Sequence, residues 1–187
     1  MGCYDTVFCD KIMKKEKVML NENVEKAFNL QLKAELYSEY LYLSMEAYFK
    51  NINLNGFANW MSIQVQEERA HAMGMFDYIT RRGGRVVLDC IEKPQTDWKS
   101  VLDVFQTGLN HERLVTSKIN ELFSVAQENN DRASMIFLNW YISEQVEEEE
   151  SFLNILNQLE MIKDSPSALY NLDKELAKRQ FTVPIIK

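Results

Sequence analysis

The run Gln66-Glu67-Glu68-Arg69-Ala70-His71 holds the residue types and spacing in this chain that could do chemistry. On a helix, Glu68 and His71 lie three residues apart, so a carboxylate and an imidazole leave the same face from neighbouring turns. That face continues as Phe57, Met61 and Gln64 on one side and Met75 and Tyr78 on the other. It is an apolar stripe with a charged centre. A carboxylate buried beside an imidazole is costly unless something compensates it, and a metal ion does so directly. Alone, Glu-x-x-His is a weak motif, because it falls by chance on many surface helices. The test is whether other helices also carry carboxylates inside their apolar stripes.

They do. A first helix is expected from about Asn21, a good N-cap, to about Lys50. Its stripe reads Val24, Phe28, Gln31, Glu35, Ser38, Tyr42, Met45 and Phe49, with Tyr42 one heptad past Glu35. The second runs from about Gly56 to Arg82 and stops at Gly83-Gly84. The third, about Asp97 to Gln127, has the stripe Val101, Phe105, Gly108, Glu112, Val115, Ile119, Leu122 and Ala126, where Glu112 is the only charge. The fourth begins after the cap Asp131, runs to about Ile162, and shows Phe137, Tyr141, Glu144, Glu148, Phe152, Ile155 and Leu159 inward. Glu35 and Glu68 are 33 residues apart and Glu112 and Glu144 are 32 apart, so the halves read as two copies of one helical hairpin.

Short turns at 51–55 and 129–130 make antiparallel neighbours within each hairpin. Between the hairpins, residues 83–96 form roughly 14 residues of connection, long enough at about 3.3 Å each to return along the bundle. The third helix then lies parallel to the second. Ser165-Pro166 restart a short fifth helix ending near Arg179, and an apolar tail (Val183-Pro184-Ile185-Ile186) follows. The expected fold is all-α: a four-helix bundle with one long crossover between helices 2 and 3 plus a short fifth C-terminal helix. Residues 1–18 read as a disordered extension with Met19 as the natural beginning, 19–180 as the bundle domain, and 181–187 as a tail. Met1-Gly2 with Thr6 formally fits a myristoylation pattern, with Cys3 as a second lipid position, but the pattern is short and common.

Charge counting favours two metal ions. Glu35, Glu68, Glu112 and Glu148 offer four negative charges against four positive ones from two divalent ions, with His71 neutral. Two trivalent ions plus an oxide again sum to zero, which suits a low-dielectric interior. Oxygen ligands with one imidazole fit iron or manganese and disfavour copper or a structural zinc. In the acidic run after Gln145, Glu149 and Glu150 read as solvated. Glu147 and Glu148 lie three and four residues past Glu144, on the inner side, and with Glu67 they suggest a third, weaker metal position. Without metal, several of these acids should hold protons, because like charges at close range raise pKa. Tyr42 is either a core tyrosine or a donor of a hydrogen bond or an electron. His111 points to another face and reads as structural; Trp60, Trp98, Trp140 and the methionines read as packing.

The net charge of −7 over 187 residues argues against nucleic acid and is compatible with cations. No apolar run spans a bilayer, and Cys3, Cys9 and Cys90 form no Cys-x-x-Cys pair, so a cytoplasmic location is expected and neither a rubredoxin-like iron site nor a zinc ribbon is encoded.

Over about residues 19–180 the chain closely resembles the non-haem ferritins of bacteria and archaea. The resemblance rests on Ala34-Glu35-Leu36-Tyr37-Ser38, the Gln66–His71 run, His111-Glu112 and the stretch from Trp140 to Glu148. It implies a di-iron ferroxidase centre. Glu35, Glu68 and His71 resemble the family's first iron site, and Glu68, Glu112 and Glu148 the second, with Glu68 bridging. Gln145 and Tyr42 fall where the family has a glutamine and a tyrosine beside the centre. Glu67, Glu144, Glu147 and Glu148 resemble the third site. The implied activity is oxidation of Fe(II) by dioxygen or peroxide, with ferric iron passing to a mineral core inside a homo-oligomeric shell of twenty-four chains, whose four-fold axes the fifth helix would line. Haem is not expected, since Arg69 stands where bacterioferritins have their haem methionine and Glu147 where they have a second histidine. Met135 and Leu138 replace two acids of the animal iron channel, so that route of iron access is in doubt. A soluble di-iron oxidase or peroxidase without storage is the alternative. A purely structural polar layer is excluded energetically, because no Lys or Arg sits in the stripe centres to balance the acids.

Overall fold

The structure is a computed structural model and describes residues 20–163 and 165–186. The expected N-terminal extension, its lipidation pattern, Cys3 and Cys9 therefore lie outside the described residues. Among those described there are five helices and no strand: α1 Glu22–Asn51, α2 Asn55–Arg81, α3 Val101–Glu128, α4 Arg132–Ile162 and α5 Pro166–Leu176. No helix among them is long and apolar enough to cross a membrane.

Local chemistry sets the helix ends. Asn21 accepts from the Asn23 amide and Asp131 from the Ser134 amide, each satisfying a donor that the first turn leaves unpaired. After α2 the chain turns through Gly83 at φ 77°, a left-handed conformation that a residue without Cβ adopts freely. The third helix starts later than the expected Asp97. Ser100 is its cap, accepting from the Asp103 amide at 3.1 Å, and residues 97–99 stay in the crossover. The fifth ends at Leu176, so Arg179 stands beyond it.

The crossover follows α1 along most of its length. The Asn29 side chain binds the Arg85 carbonyl and the Val87 amide, Lys33 pairs with Glu92, Ser44 donates to the Gln95 carbonyl, and Tyr48 to that of Trp98. It thereby carries the chain back to the end where α2 began. Contacts between Ser38 and His111, and between Phe49 and Phe105, run in opposite chain directions, so α3 is antiparallel to α1 and parallel to α2, as expected.

Two apolar clusters fill the interior. One gathers Tyr42, Met45, Phe49, Phe57, Trp60, Phe105, Phe152 and neighbours at the end covered by α5. The other gathers Val24, Phe28, Met75, Tyr78, Ile119, Phe137, Tyr141 and neighbours at the opposite end. Between them every long helix changes to buried polar residues: Gln31, Glu35 and Ser38 on α1; Gln64, Glu68 and His71 on α2; Glu112 on α3; Gln145 and Glu148 on α4. The apolar ends hold the helices together and the middle is left polar. That layer is where function must be sought.

Candidate metal centre

Each acid of the layer comes from a different helix, at a position where its own stripe forces it inward. Ligand atoms of Glu35, Glu68 and His71 lie within 4.8 Å of one another, and so do those of His71, Glu144 and Glu148. The His71 Nδ1 is 3.7 Å from a Glu68 oxygen and its Nε2 is 3.9 Å from a Glu144 oxygen, both beyond hydrogen-bond reach. Glu68 Oε2 and His71 Nε2 are accordingly buried with no hydrogen-bond partner. Buried polar atoms are almost always paired, so two orphans converging on one layer mark a place for a ligand.

Four other carboxylate oxygens of the layer are held by neutral donors. The Gln31 amide donates to Glu35 at 2.8 Å, and that of Gln64 donates to Glu148 at 2.7 Å. The Tyr42 hydroxyl donates to Glu112 Oε1, while Gln145 donates to Glu112 Oε2 at 3.2 Å. Tyr141 donates to the His71 carbonyl at 2.8 Å, tying α2 to α4 beside the imidazole.

Burial raises all four central acids. It pushes Glu35 up to about 7 against the opposing hydrogen bond from Gln31, and Glu112 up to about 7 against those from Tyr42 and Gln145. Burial and then the charge of Glu112 hold Glu68 and Glu148 well above the usual carboxylate range. Like charges therefore add to the shift that the sequence led us to expect, but loss of water comes first. Burial lowers His71 to about 4, leaving a neutral imidazole with a free lone pair near neutral pH. Four acids, one neutral imidazole and neutral amide or phenol donors make a set that fits hard or borderline divalent cations.

The remaining predicted positions are spread more widely. Glu144 is partly open, its side chain 26% exposed, and it reaches the site from the rim. Glu147 is exposed and belongs to neither carboxylate–histidine group. Glu67 is held by a cation: Arg179 Nη2 donates to it at 2.6 Å. Glu149, expected in solvent, accepts from Thr116 at 2.7 Å. His111 is 2.8 Å from the Ser38 hydroxyl and against the Tyr37 and Tyr42 rings, a structural setting.

Sequence reasoning passed over Gln31, Gln64 and Arg179. The two glutamines had a signal, each lying one turn before a stripe glutamate. Arg179 had none, because it arrives from beyond the last helix.

Fold and layer together define a helix-bundle protein whose core holds a carboxylate–histidine site fit for cations. A family profile for the ferritin-like domain matches residues 25–162. Over 163 residues the chain is 39% identical to the bacterial non-heme ferritin of Staphylococcus haemolyticus, covering 87% of this chain and 98% of that protein. It is 39% identical over 158 residues to a probable bacterial non-heme ferritin-like protein of Haemophilus influenzae, covering 84% and 96%. An engineered closed form of the Archaeoglobus fulgidus ferritin superposes with a TM-score of 0.86 at 50% identity, over 87% of this chain and 99% of that one. The open-pore ferritin of the same archaeon gives 0.85 at 49% identity, over 86% and 98%. The chain belongs to the ferritin-like family, whose general character is iron storage and ferroxidase activity.

Proposed function

We propose that the protein oxidises Fe(II) to Fe(III) in the buried layer and stores the product as a ferric oxyhydroxide mineral inside a hollow homo-oligomeric shell. The observation that carries this reading is the pair of orphaned atoms, Glu68 Oε2 and His71 Nε2, in a layer of four buried acids with no cation among them. Two Fe(II) ions are the substrate. Glu35 and His71 hold one, Glu112 and Glu148 the other, and Glu68 bridges both; burial and the neighbouring acids set its charge. Binding displaces the protons that burial keeps on these carboxyls. Each Fe(II) then gives one electron, and the two electrons reduce dioxygen to hydrogen peroxide or peroxide to water. The four carboxylates match the four charges of the ferrous pair. An oxide derived from water, whose two protons go to the reduced oxidant, would balance the two charges that oxidation adds.

The supporting side chains have separate tasks. Gln31 and Gln64 each fix one oxygen of Glu35 and Glu148, leaving the other free for an ion, while Tyr42 and Gln145 hold the two oxygens of Glu112 and set its orientation. Glu144, with Glu148, and Glu67 and Glu147 beside them, form the rim where a third ion would pass between centre and mineral. The bundle domain spans 19–180, the assembly is a shell of twenty-four chains in the cytoplasm, and no haem, nucleic acid or membrane is involved.

The test is aerobic loading with Fe(II) far above three ions per chain, followed by gel filtration with iron and protein read together. Hundreds of irons co-eluting with a very large particle establish storage. If two or three ions per chain stay bound and the rest precipitates, the protein is a di-iron oxidase or peroxidase and the storage reading fails.

A further inference from the structure

Arg179 stands three residues past α5 and touches the metal layer from outside it. The end of α5 is fixed on the start of α2. Asp173 accepts from the Gly56 and Phe57 amides at 2.7 and 3.1 Å, and the Asn59 side chain donates to the carbonyls of Leu176 and Arg179. Gly56 makes the docking possible, since a Cβ there would overlap the Asp173 carbonyl. So anchored, the Arg179 guanidinium lies 4.6 Å over the Trp60 ring and donates to Gln64 Oε1 at 2.5 Å and to Glu67 Oε2 at 2.6 Å. Farther along the tail, Ile186 rests on α2 at Gly74, where a Cβ would meet its Cδ1 at 2.7 Å. The segment after α5 is thus pinned at both ends over the same stretch of α2 that carries Glu67, Glu68 and His71.

Two consequences follow from donor and acceptor chemistry. A guanidinium only donates, so the Gln64 oxygen must face Arg179 and the Gln64 amide must face Glu148. The hydrogen bond from Gln64 to Glu148 therefore inherits its direction from Arg179. Second, Glu67 lies within reach of the charges of Glu144 and Glu148, and one of its oxygens is taken by the guanidinium. The unpartnered, buried His71 Nε2 points to this same rim, 3.9 Å from Glu144.

Resting on the reading of the layer as an iron centre, we propose that Arg179 is a positioning residue and a built-in competing cation. It occupies Glu67, so that a third metal ion binds beside the pair only when the C-terminal latch releases. The cation–π contact with Trp60 adds to the hold on the guanidinium. In this arrangement the tail controls when iron leaves the centre for the rim.

The test is anaerobic titration of the metal-free, full-length assembly with Co(II), read by dialysis stoichiometry and the visible spectrum of bound cobalt. Native protein should fill two positions per chain first and a third more weakly. Arg179→Gln should tighten the third by roughly tenfold or more, the scale of one charge-assisted hydrogen bond. Arg179→Lys, which keeps the charge and loses the planar fork, should fall between and serves if charge removal disturbs assembly. In a Glu67→Gln background, Arg179→Gln should lose most of that gain, leaving only what reorientation of Gln64 passes to Glu148. Equal third-ion affinity with and without Arg179, or an undiminished effect in the Glu67→Gln background, overturns the proposal. Failure of native protein to take up the first two ions would instead sink the reading of the centre.

Discussion

The protonation of the layer makes the metal-free and metal-loaded proteins respond oppositely to pH. Glu35 and Glu112 ionise near 4.5 when unfolded and at about 7 in the folded chain. A carboxyl whose pKa is raised by folding stabilises the fold fully below 4.5, and that contribution is lost as pH rises through about 7. Each such shift corresponds to about 3 kcal/mol. At roughly 2–4 °C per kcal/mol for a domain of this size, each carboxyl shifts the melting temperature by about 10 °C across the window. His71 and His111 work the other way: unfolding lets them take up protons below about 6.5, whereas in the folded chain burial lowers both to about 4. They add stability as pH rises towards 6.5, an opposing effect that the more numerous buried acids outweigh. The assay compares the melting of protein stripped with a chelator and of protein saturated with Zn(II), which occupies the acids without redox chemistry, at pH 5.5, 6.5 and 7.5. Stripped protein should lose stability as pH rises, and loaded protein should gain it, because the ions bind the deprotonated acids. The double substitution Glu35→Gln with Glu112→Gln should make the slope of the stripped protein clearly shallower, the remainder coming from Glu68 and Glu148, which burial also raises. If stripped native protein instead gains stability from pH 5.5 to 7.5, or if the double variant keeps the native slope, the acids are not protonated as burial requires.

Two further outcomes follow from single side chains. Glu68→Ala should slow Fe(II) oxidation by on the order of a hundredfold, and Glu147→Ala by no more than roughly threefold, since only Glu68 sits among the buried acids; equal losses in stopped-flow traces would mean that centre and rim have been confused. Asp173→Ala leaves the Gly56 and Phe57 amides without their acceptor and should lower stability by about 1–2 kcal/mol in denaturant unfolding, while also loosening the Arg179 latch. An unchanged midpoint would show that α5 is held by apolar packing alone.

The elements were legible because each long helix repeats its apolar residues at helical spacing, and because Asn21, Asp131 and Gly83 mark ends by known local chemistry. The boundary that failed, Asp97 against Val101, failed for a tertiary reason: Tyr48 binds the Trp98 carbonyl and so draws that turn into the crossover. The four buried acids were legible for the same reason as the helices. An ionisable group inside an apolar stripe conflicts with the pattern around it, and that conflict can be read without coordinates. Gln31 and Gln64 carried the same signal more faintly, since a neutral amide in a core conflicts less. Arg179 could not be found this way, because its position depends on how α5 docks on Gly56, a contact between residues more than a hundred apart.

The cation that bonds to Gln64 and Glu67 therefore comes from the part of the chain least constrained by helical periodicity. Its placement also answers an energetic question that the sequence left open. An uncompensated acid at the rim would join Glu144 and Glu148 in holding a third ion there. With Arg179 on Glu67, one of those charges is cancelled where ions must pass, yet the two orphaned atoms at the centre stay free. The centre is left hungry for cations while the rim is balanced by a cation the chain can withdraw. A site built only to bind metal tightly would have no use for that arrangement; one that must pass its ions on would.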